Sequence, residues 1–188
     1  MKFLDKVKLE NKLIKNLKKN LKIGILGGTF DPAHKGHLVI SKKAIKQFKL
    51  KKVIWAITAK NPFKKKSQTS ISDRIKGCKK IIKSYNLIKV KFYERTIKSN
   101  KTINLINHLK KNTKSQIFFL MGADNLINFH KWHKWKLISQ KCKILVFDRH
   151  GYKKKSLNSV SFKRLNGKNF NFIKFNKVNI SSSQLRKI

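Results

Sequence analysis

The stretch KIGILGGTFDPAHKGH, from Lys22 to His37, decides the fold class of this chain. Its first half is a short apolar run that ends in glycines, which predicts a buried strand followed by a tight turn. A helical pattern then runs from His37 to about Phe48. His34 and His37 are three residues apart, so at a helix start both rings lie on one side of the first turn. Two imidazoles beside the N–H groups of a helix N-terminus suit a polyphosphate.

The rest of the chain alternates predicted strands with predicted helices. Further strands are expected at Lys52–Thr58, Ile88–Tyr93, Gln116–Met121, Cys142–Phe147 and Asn169–Phe175. Several of them are apolar on both faces, which is typical of parallel strands covered on both sides. The pattern predicts an α/β fold, a doubly wound, Rossmann-like parallel sheet of about five to six strands with helices on both faces. In such sheets ligands bind beyond the carboxyl ends of the strands, where the strand order reverses.

Several connecting segments also carry local signals. Ser70 or Ser72 is expected to cap the helix that follows the second strand. Gly122–Asp124 is predicted to be a turn, Leu126–Ile138 two short helical pieces, and Asp148–Lys168 a polar, looser segment.

The composition is strongly basic. The 188 residues include 48 Lys and Arg against 7 Asp and Glu, a formal net charge of +41. A basic surface suits nucleic acid, but the lysines are spread along the whole chain, only five residues are arginine, and no nucleic-acid-binding module is recognisable. Drift toward Lys, Ile, Asn and Phe explains the charge better, and no specific nucleic-acid partner is expected. The positive field still raises the encounter rate of anionic small substrates.

Other protein classes are excluded by simple criteria. No apolar run approaches the roughly 18 residues of a membrane span. Cys78 and Cys142 are too few to staple a fold, so we expect two reduced core thiols, and no Cys/His cluster has zinc spacing. Residues 1–21 are predicted to be a Lys-rich, helical N-terminal extension without the apolar core of a secretory signal, and a cytoplasmic location is expected. Residues 22–188 are predicted to form one domain.

A second phosphate-binding signal stands near the C-terminus, where ISSSQLR runs from Ile180 to Arg186. Hydroxyl and N–H groups at a helix start, with an arginine one turn later, suit a phosphate group. Together with the two histidines this segment resembles the paired signatures of the HxGH nucleotidyltransferase superfamily.

Within that superfamily the chain is similar to the bacterial nicotinate-mononucleotide adenylyltransferases, from Lys22 to Arg186. Three further segments carry the resemblance: NPFKK (Asn61–Lys65), MGADNLINFHKWHKW (Met121–Trp135) and VFDRHGY (Val146–Tyr152). Compared with that family, the domain looks short at its C-terminus.

The resemblance implies that AMP is transferred from ATP to nicotinate mononucleotide, giving nicotinate adenine dinucleotide and pyrophosphate in NAD synthesis. It implies that His34, His37 and Arg186 are catalytic. It implies an ATP site made of Gly27, Gly28, Thr29, Phe30, His34, His37, Ser181, Ser182, Ser183 and Arg186. It implies that substrate is bound by Lys64, by Thr102, by Asp124 beside the sugar-phosphate and by Trp132 stacked on the pyridine ring. No protein ligands for a metal are expected, because Mg²⁺ arrives on ATP.

Alternatives stay open at this point. The acceptor could be nicotinamide mononucleotide or phosphopantetheine, although the aromatic block Phe129–Trp135 favours a pyridine nucleotide. The chain could also be an inactive relative that binds nucleotide, or a basic nucleic-acid-binding protein. The oligomeric state is not determined by the sequence.

Overall fold

A computed structural model describes residue 5 and residues 21–61, 67–148, 151–167 and 169–174. Within these ranges six strands form one sheet in the order β3-β2-β1-β4-β5-β6, and all neighbouring strands are parallel. The strands are β1 (Lys22–Gly28), β2 (Lys52–Ile57), β3 (Ile88–Lys91), β4 (Gln116–Gly122), β5 (Lys143–Phe147) and β6 (Phe170–Ile173). The strand order reverses between β1 and β4, which confirms the predicted doubly wound α/β fold.

Helices connect successive strands and pack on both faces of the sheet. The longer ones are α1 (Lys35–Phe48), α2 (Ile71–Ile81) and α4 (Thr102–Thr113). The shorter ones are α3 (Glu94–Ile97), α5 (Ala123–Ile127), α6 (Trp135–Lys141), α7 (Lys153–Leu157) and α8 (Val160–Arg164), with a 3₁₀ turn at Phe129–Lys131.

The core consists of two layers, one on each face of the sheet, and β4 contributes to both. Ile117, Phe119 and Met121 pack in the layer that includes residues of α4, α5 and α6. Phe118 and Leu120 pack in the opposite layer with residues of α1 and α2. All five side chains are buried, as expected for a central strand covered on both faces.

The predicted turn at Gly122–Asp124 is wrong. β4 continues to Gly122, and α5 begins at once with Ala123. Gly122 has an extended backbone and occupies the N-cap position, while Asp124 places a carboxylate in the first turn of the helix. A negative charge there is favourable because it faces the positive end of the helix dipole.

The predicted loose segment at Asp148–Lys168 contains two short helices, α7 and α8. Ser159 caps α8, since its hydroxyl accepts a hydrogen bond from the Phe162 N–H. The buried Ser161 hydroxyl donates to the Leu126 carbonyl at 3.0 Å. These serines make the segment polar in composition, yet each satisfies a backbone group.

No described helix combines the length and the apolar character that crossing a membrane requires. Residues 1–4 and 6–20 of the expected N-terminal extension lie outside the described residues. The division into an extension over residues 1–21 and a domain over residues 22–188 therefore stays a prediction.

The two thiols, Cys78 and Cys142, are reduced and buried, as the sequence predicts. Burial raises the pKa of each thiol from 9.0 to about 12. We therefore expect iodoacetamide at pH 8.5 to alkylate both cysteines quickly in urea and only very slowly in the folded protein, because the thiolate is the reactive form. Mass spectrometry of the alkylated protein measures both rates. Equal rates in the two states would contradict this burial.

The same shift has a consequence for stability. Above pH 9 the unfolded chain releases thiol protons that the folded chain retains, so the free energy of unfolding falls as pH rises. A Cys78→Ala, Cys142→Ala double variant lacks this contribution. Its urea-unfolding free energy should depend less steeply on pH between 8 and 10 than that of the wild type.

Candidate active site

A cavity of about 760 Å³ opens at the carboxyl ends of β1, β2, β4 and β5. It spans the point where the strand order reverses, which is the expected ligand site of such a sheet. Its volume suits a ligand of nucleotide size. Nine of the sequence-predicted site residues line it together: Gly27, Gly28, Thr29, Phe30, His34, His37, Thr102, Asp124 and Trp132. Lys64, Ser181, Ser182, Ser183 and Arg186 lie outside the described residues and stay predictions.

The side chains of His34 and His37 cap the start of α1. His34 is the N-cap, and its Nδ1 accepts a hydrogen bond from the Gly36 N–H at 3.1 Å. His37 completes a capping box, because its Nδ1 accepts from the His34 N–H at 3.2 Å. The helix therefore begins at Lys35, two residues earlier than the sequence pattern predicts. Each ring satisfies a backbone N–H that a helix start otherwise leaves without an intrahelical partner.

This capping arrangement also determines the tautomers. A ring nitrogen that accepts a hydrogen bond carries no proton, so in the neutral rings of His34 and His37 the proton is on Nε2. The ring centroids are only 3.8 Å apart. Both residues line the cavity, and Nε2–H is the donor that each neutral ring retains. Such a pair can donate to the oxygens of one phosphate chain.

The position of His37 is fixed by ring packing and by a hydrogen bond to its backbone. The buried Phe30 ring packs on it at 4.8 Å between centroids and stacks on Trp55 at 5.1 Å. The Ser41 hydroxyl donates to the His37 carbonyl and accepts from Trp55 Nε1, both at 2.8 Å. The histidine is thus connected to the centre of β2 through a buried, fully satisfied network.

The turn between β1 and α1 is stabilised by Asp31. Its side chain is buried, and its two carboxylate oxygens accept from the Gln68 N–H and the Thr69 hydroxyl, each at 2.7 Å. Just before it, Phe30 has φ of +51°, a left-handed conformation that is uncommon for a residue with a side chain. Such conformations persist where surrounding contacts determine them, and they concentrate at functional sites.

Arg74 was missed by the sequence analysis as a site residue. It is on α2 and only 5% exposed. Its Nη1 donates to the carbonyls of Thr29, at 2.9 Å, and Thr58, at 2.8 Å. One guanidinium thus joins the loop after β1 to the loop after β2. The Ser70 cap at the start of α2, where the sequence predicted one, sets the position of this arginine. In the sequence, the signal for this role is limited to the position of Arg74 in the first turn after the Ser70 cap.

Gly122 and Asp124 shape the wall at the end of β4. The Asp124 carboxylate folds back over the backbone of Gly122, and a Cβ at Gly122 would collide with Asp124 Oδ1. Glycine at this position therefore allows the carboxylate to sit beside the cavity, at the start of α5.

An aromatic wall closes one end of the cavity. Trp132 is half-buried and makes edge contacts with Phe119 at 5.8 Å and Phe129 at 5.5 Å between ring centroids. Tyr93 lines the same cavity, and burial raises the pKa of its phenol. Trp135 also contacts Phe129 but is not among the cavity residues, and it packs partly buried against the core.

Among the described residues, no group of three or more His, Cys, Asp or Glu side chains is placed to hold a metal ion. Glu94 is one of the acidic residues that line the cavity. Its Oε1 accepts hydrogen bonds from the Thr58 hydroxyl and from the Ala59 N–H. Glu94 and Thr58 were not singled out by the sequence analysis.

Replacement of Arg74 tests its structural role. Arg74→Met should lower the free energy of unfolding by about 2–4 kcal/mol, because two buried carbonyls lose their charged donor. Urea unfolding measures the loss. Hydrogen exchange should also rise at the Thr58 amide, which donates to the Gly28 carbonyl. Arg164→Met is the matched control, since Arg164 is exposed at the end of α8. Equal stability of the two variants would contradict the assignment.

Comparisons with known proteins agree with this geometry. Residues 25–188 match the cytidylyltransferase-like family. A Pelagibacter ubique protein named "Probable nicotinate-nucleotide adenylyltransferase" is 65% identical over 182 residues, 97% of this chain and 99% of that protein. An Agrobacterium fabrum protein of the same name is 37% identical over 131 residues, 69% of this chain and 70% of that protein.

A solved structure has the same fold. It is described as "Plasmodium falciparum nicotinic acid mononucleotide adenylyltransferase complexed with NaAD", is 20% identical, and superposes with a TM-score of 0.72 over 89% of this chain and 83% of that chain. The family match and the two relatives each cover at least two thirds of the chain. The chain therefore belongs to the cytidylyltransferase-like family of nucleotidyltransferases and, within it, to the nicotinate-nucleotide adenylyltransferases.

Proposed function

We propose that the enzyme transfers the adenylyl group of ATP to nicotinate mononucleotide, giving nicotinate adenine dinucleotide and pyrophosphate. The observation that carries this proposal is the His34–His37 capping box at the wall of the cavity, where two imidazole rings lie 3.8 Å apart at a helix start. The names of the relatives, at 65% and 37% identity, support the same reaction.

The mechanism requires positioning and charge stabilisation. A 5′-phosphate oxygen of the mononucleotide attacks the α-phosphorus of ATP in line, and the bond to the bridging oxygen breaks with its electron pair going to pyrophosphate. A phosphate monoester dianion is already a nucleophile, so the step needs no general base. Donors placed where negative charge develops lower the barrier. His34 and His37 supply such donors, with His37 nearest the bridging oxygen.

We assign the remaining ATP contacts to the backbone of Gly27, Gly28, Thr29 and Phe30 and to the C-terminal signature. Glycines allow the chain to approach a phosphate closely. Ser181, Ser182, Ser183 and Arg186 would bind the leaving pyrophosphate, with Arg186 balancing its charge.

The mononucleotide is assigned to the aromatic end of the cavity. We assign Trp132, which lines the cavity, to stack on the electron-poor pyridine ring, because such aromatic pairs are favourable. Asp124 accepts hydrogen bonds from the sugar, Thr102 lies beside the nicotinate group, and Lys64 attracts the substrate phosphate. The aromatic wall suits a pyridine ring better than it suits the flexible, aliphatic arm of phosphopantetheine.

ATP enters as a complex with a divalent metal ion, and we propose Mg²⁺. We propose that the ion is part of the substrate and is carried by the ATP phosphates. It neutralises phosphate charge in the bound complex. We further propose a cytoplasmic location, a helical extension over residues 1–21, and no specific nucleic-acid partner.

The first experiment is pyrophosphate release by the purified chain with ATP and Mg²⁺. Nicotinate mononucleotide, nicotinamide mononucleotide and phosphopantetheine are supplied in parallel. We expect fast release with the nicotinate acceptor. Release with another acceptor alone would change the substrate assignment, and ATP binding without any release would indicate an inactive relative.

Replacement of His37 separates its capping role from its chemical role. His37→Ala should lower kcat about 100- to 1,000-fold, as the loss of an oxyanion donor does. His37→Gln restores an acceptor for the His34 N–H, as glutamine does in a capping box. Its melting temperature should therefore be close to that of the wild type while its kcat stays low. Recovery of activity in His37→Gln would assign the whole effect to the cap.

A pair of tryptophan variants tests the mononucleotide end. Trp132→Ala should raise KM for nicotinate mononucleotide about tenfold, because a ring stack is lost, and should leave KM for ATP almost unchanged. Trp135→Ala is the matched control, since Trp135 packs on the same Phe129 ring without lining the cavity. Steady-state kinetics with each substrate varied in turn give the comparison. Equal changes in both KM values for Trp132→Ala would place its ring in the core alone.

A further inference from the structure

Thr58 and Ala59, which directly follow β2, form a junction whose polar groups are all bound. The Thr58 N–H donates to the Gly28 carbonyl at 2.9 Å. Arg74 donates to both carbonyls, at 2.8 Å for Thr58 and 3.5 Å for Ala59. The Thr58 hydroxyl and the Ala59 N–H, at 3.2 Å, both donate to Glu94 Oε1. Every polar group of these two residues therefore has a partner although they lie outside the strand, and the Lys60 carbonyl is a second acceptor for the Thr58 hydroxyl at 3.3 Å.

This junction stands between the two ends of the cavity. On one side, Arg74 also binds the carbonyl of Thr29, in the loop that leads to the two histidines. On the other side, Glu94 is on α3. Tyr93, Glu94 and Ile97 all line the cavity, and Tyr93 packs against the same core layer as Trp132. The ATP end and the mononucleotide end are thus connected through four residues and their hydrogen bonds.

The partners of Glu94 are unusual for this chain. Lys and Arg number 48, yet the described contacts of the Glu94 carboxylate are a hydroxyl and a backbone N–H. One oxygen atom accepts both hydrogen bonds, which fixes the position of the carboxylate relative to β2. The arrangement depends on acceptor geometry, and a neutral amide oxygen of the same shape can reproduce it.

We propose that Glu94 is a positioning residue for adenylyl transfer: through Thr58 and Ala59 it holds α3, and with it the mononucleotide end of the cavity, in register with the phosphate-binding loop after β1. This inference rests on the proposed function. In-line transfer requires the attacking oxygen and the α-phosphorus to be aligned, and a displacement of about 1 Å can lower the rate about 100-fold. Glu94 itself acts through the junction and not on the reacting atoms.

The test compares two replacements of Glu94. Glu94→Met keeps the length of the side chain but removes the acceptor, and its kcat should fall about 10- to 100-fold. Its affinity for ATP alone, measured by calorimetry, should stay within about twofold of the wild type, because the histidine loop keeps its own support from Arg74 and Phe30. Glu94→Gln retains the acceptor oxygen and should keep kcat within about threefold of the wild type, with an unchanged pH profile.

A double-mutant cycle locates the effect. Thr58→Val removes the hydroxyl donor, and in the Glu94→Met background it should cause little further loss of kcat, because the two residues act as one unit. Asp5→Asn is the charge control: Asp5 is exposed and is not among the cavity residues, and its loss changes the net charge as Glu94→Gln does.

The outcomes separate this inference from the function itself. If the wild-type protein shows no adenylyl transfer, the proposed function is wrong. If the wild type is active, an unchanged kcat in folded Glu94→Met would overturn the positioning role. Equal loss in Glu94→Gln and Glu94→Met would also overturn it, since charge and not acceptor geometry would then be required.

Discussion

The hydrogen bonds that His34 and His37 exchange with the first turn of α1 are the constraint on which the site depends. A helix start leaves backbone N–H groups without intrahelical partners, and capping side chains usually satisfy them with oxygen. Here imidazole nitrogens do so. The same bonds that begin the helix therefore select the tautomer and the direction of both rings. The cap uses Nδ1 of each ring, so an ordinary capping residue in place of either histidine would keep the helix start but lose the Nε2–H donor.

Support for that helix start comes from buried polar contacts, each with a complete set of partners. Ser41 connects the backbone of His37 to the Trp55 indole, Asp31 connects the turn to residues before α2, and Arg74 connects the loops after β1 and β2. Buried polar groups are costly when a partner is missing, so a network of this kind has one low-energy arrangement. The cavity residues attached to this network are therefore fixed in one arrangement, as preorganised donors require.

The strands and the histidine pair were predicted from the sequence, and the features that the prediction missed were missed for physical reasons. A strand was predicted at each of the six positions. The central strands are apolar because they are covered on both faces, whereas the edge strands β3 and β6 include exposed polar residues. The three-residue spacing of His34 and His37 predicted that both rings lie together, and both residues line the cavity. Arg74 and Glu94 were missed because their partners are backbone groups and one threonine hydroxyl, which form no recognisable motif and are distant in sequence. The helix start at Ala123 was missed because a glycine N-cap resembles a turn.

The charge of the chain fits this picture. Among the described residues the only ion pair joins Lys76 and Asp73 at 3.8 Å, and both side chains are exposed, so it adds little to stability. Asp31 and Glu94 instead accept from N–H and O–H groups. The buried network thus depends on short, oriented hydrogen bonds, several of them to charged groups, whose effect falls off within one contact. The lysines act at longer range and draw anions toward the surface. Because these two functions are separate, a surface can accumulate a net charge of +41 while the chemistry of the cavity stays the same.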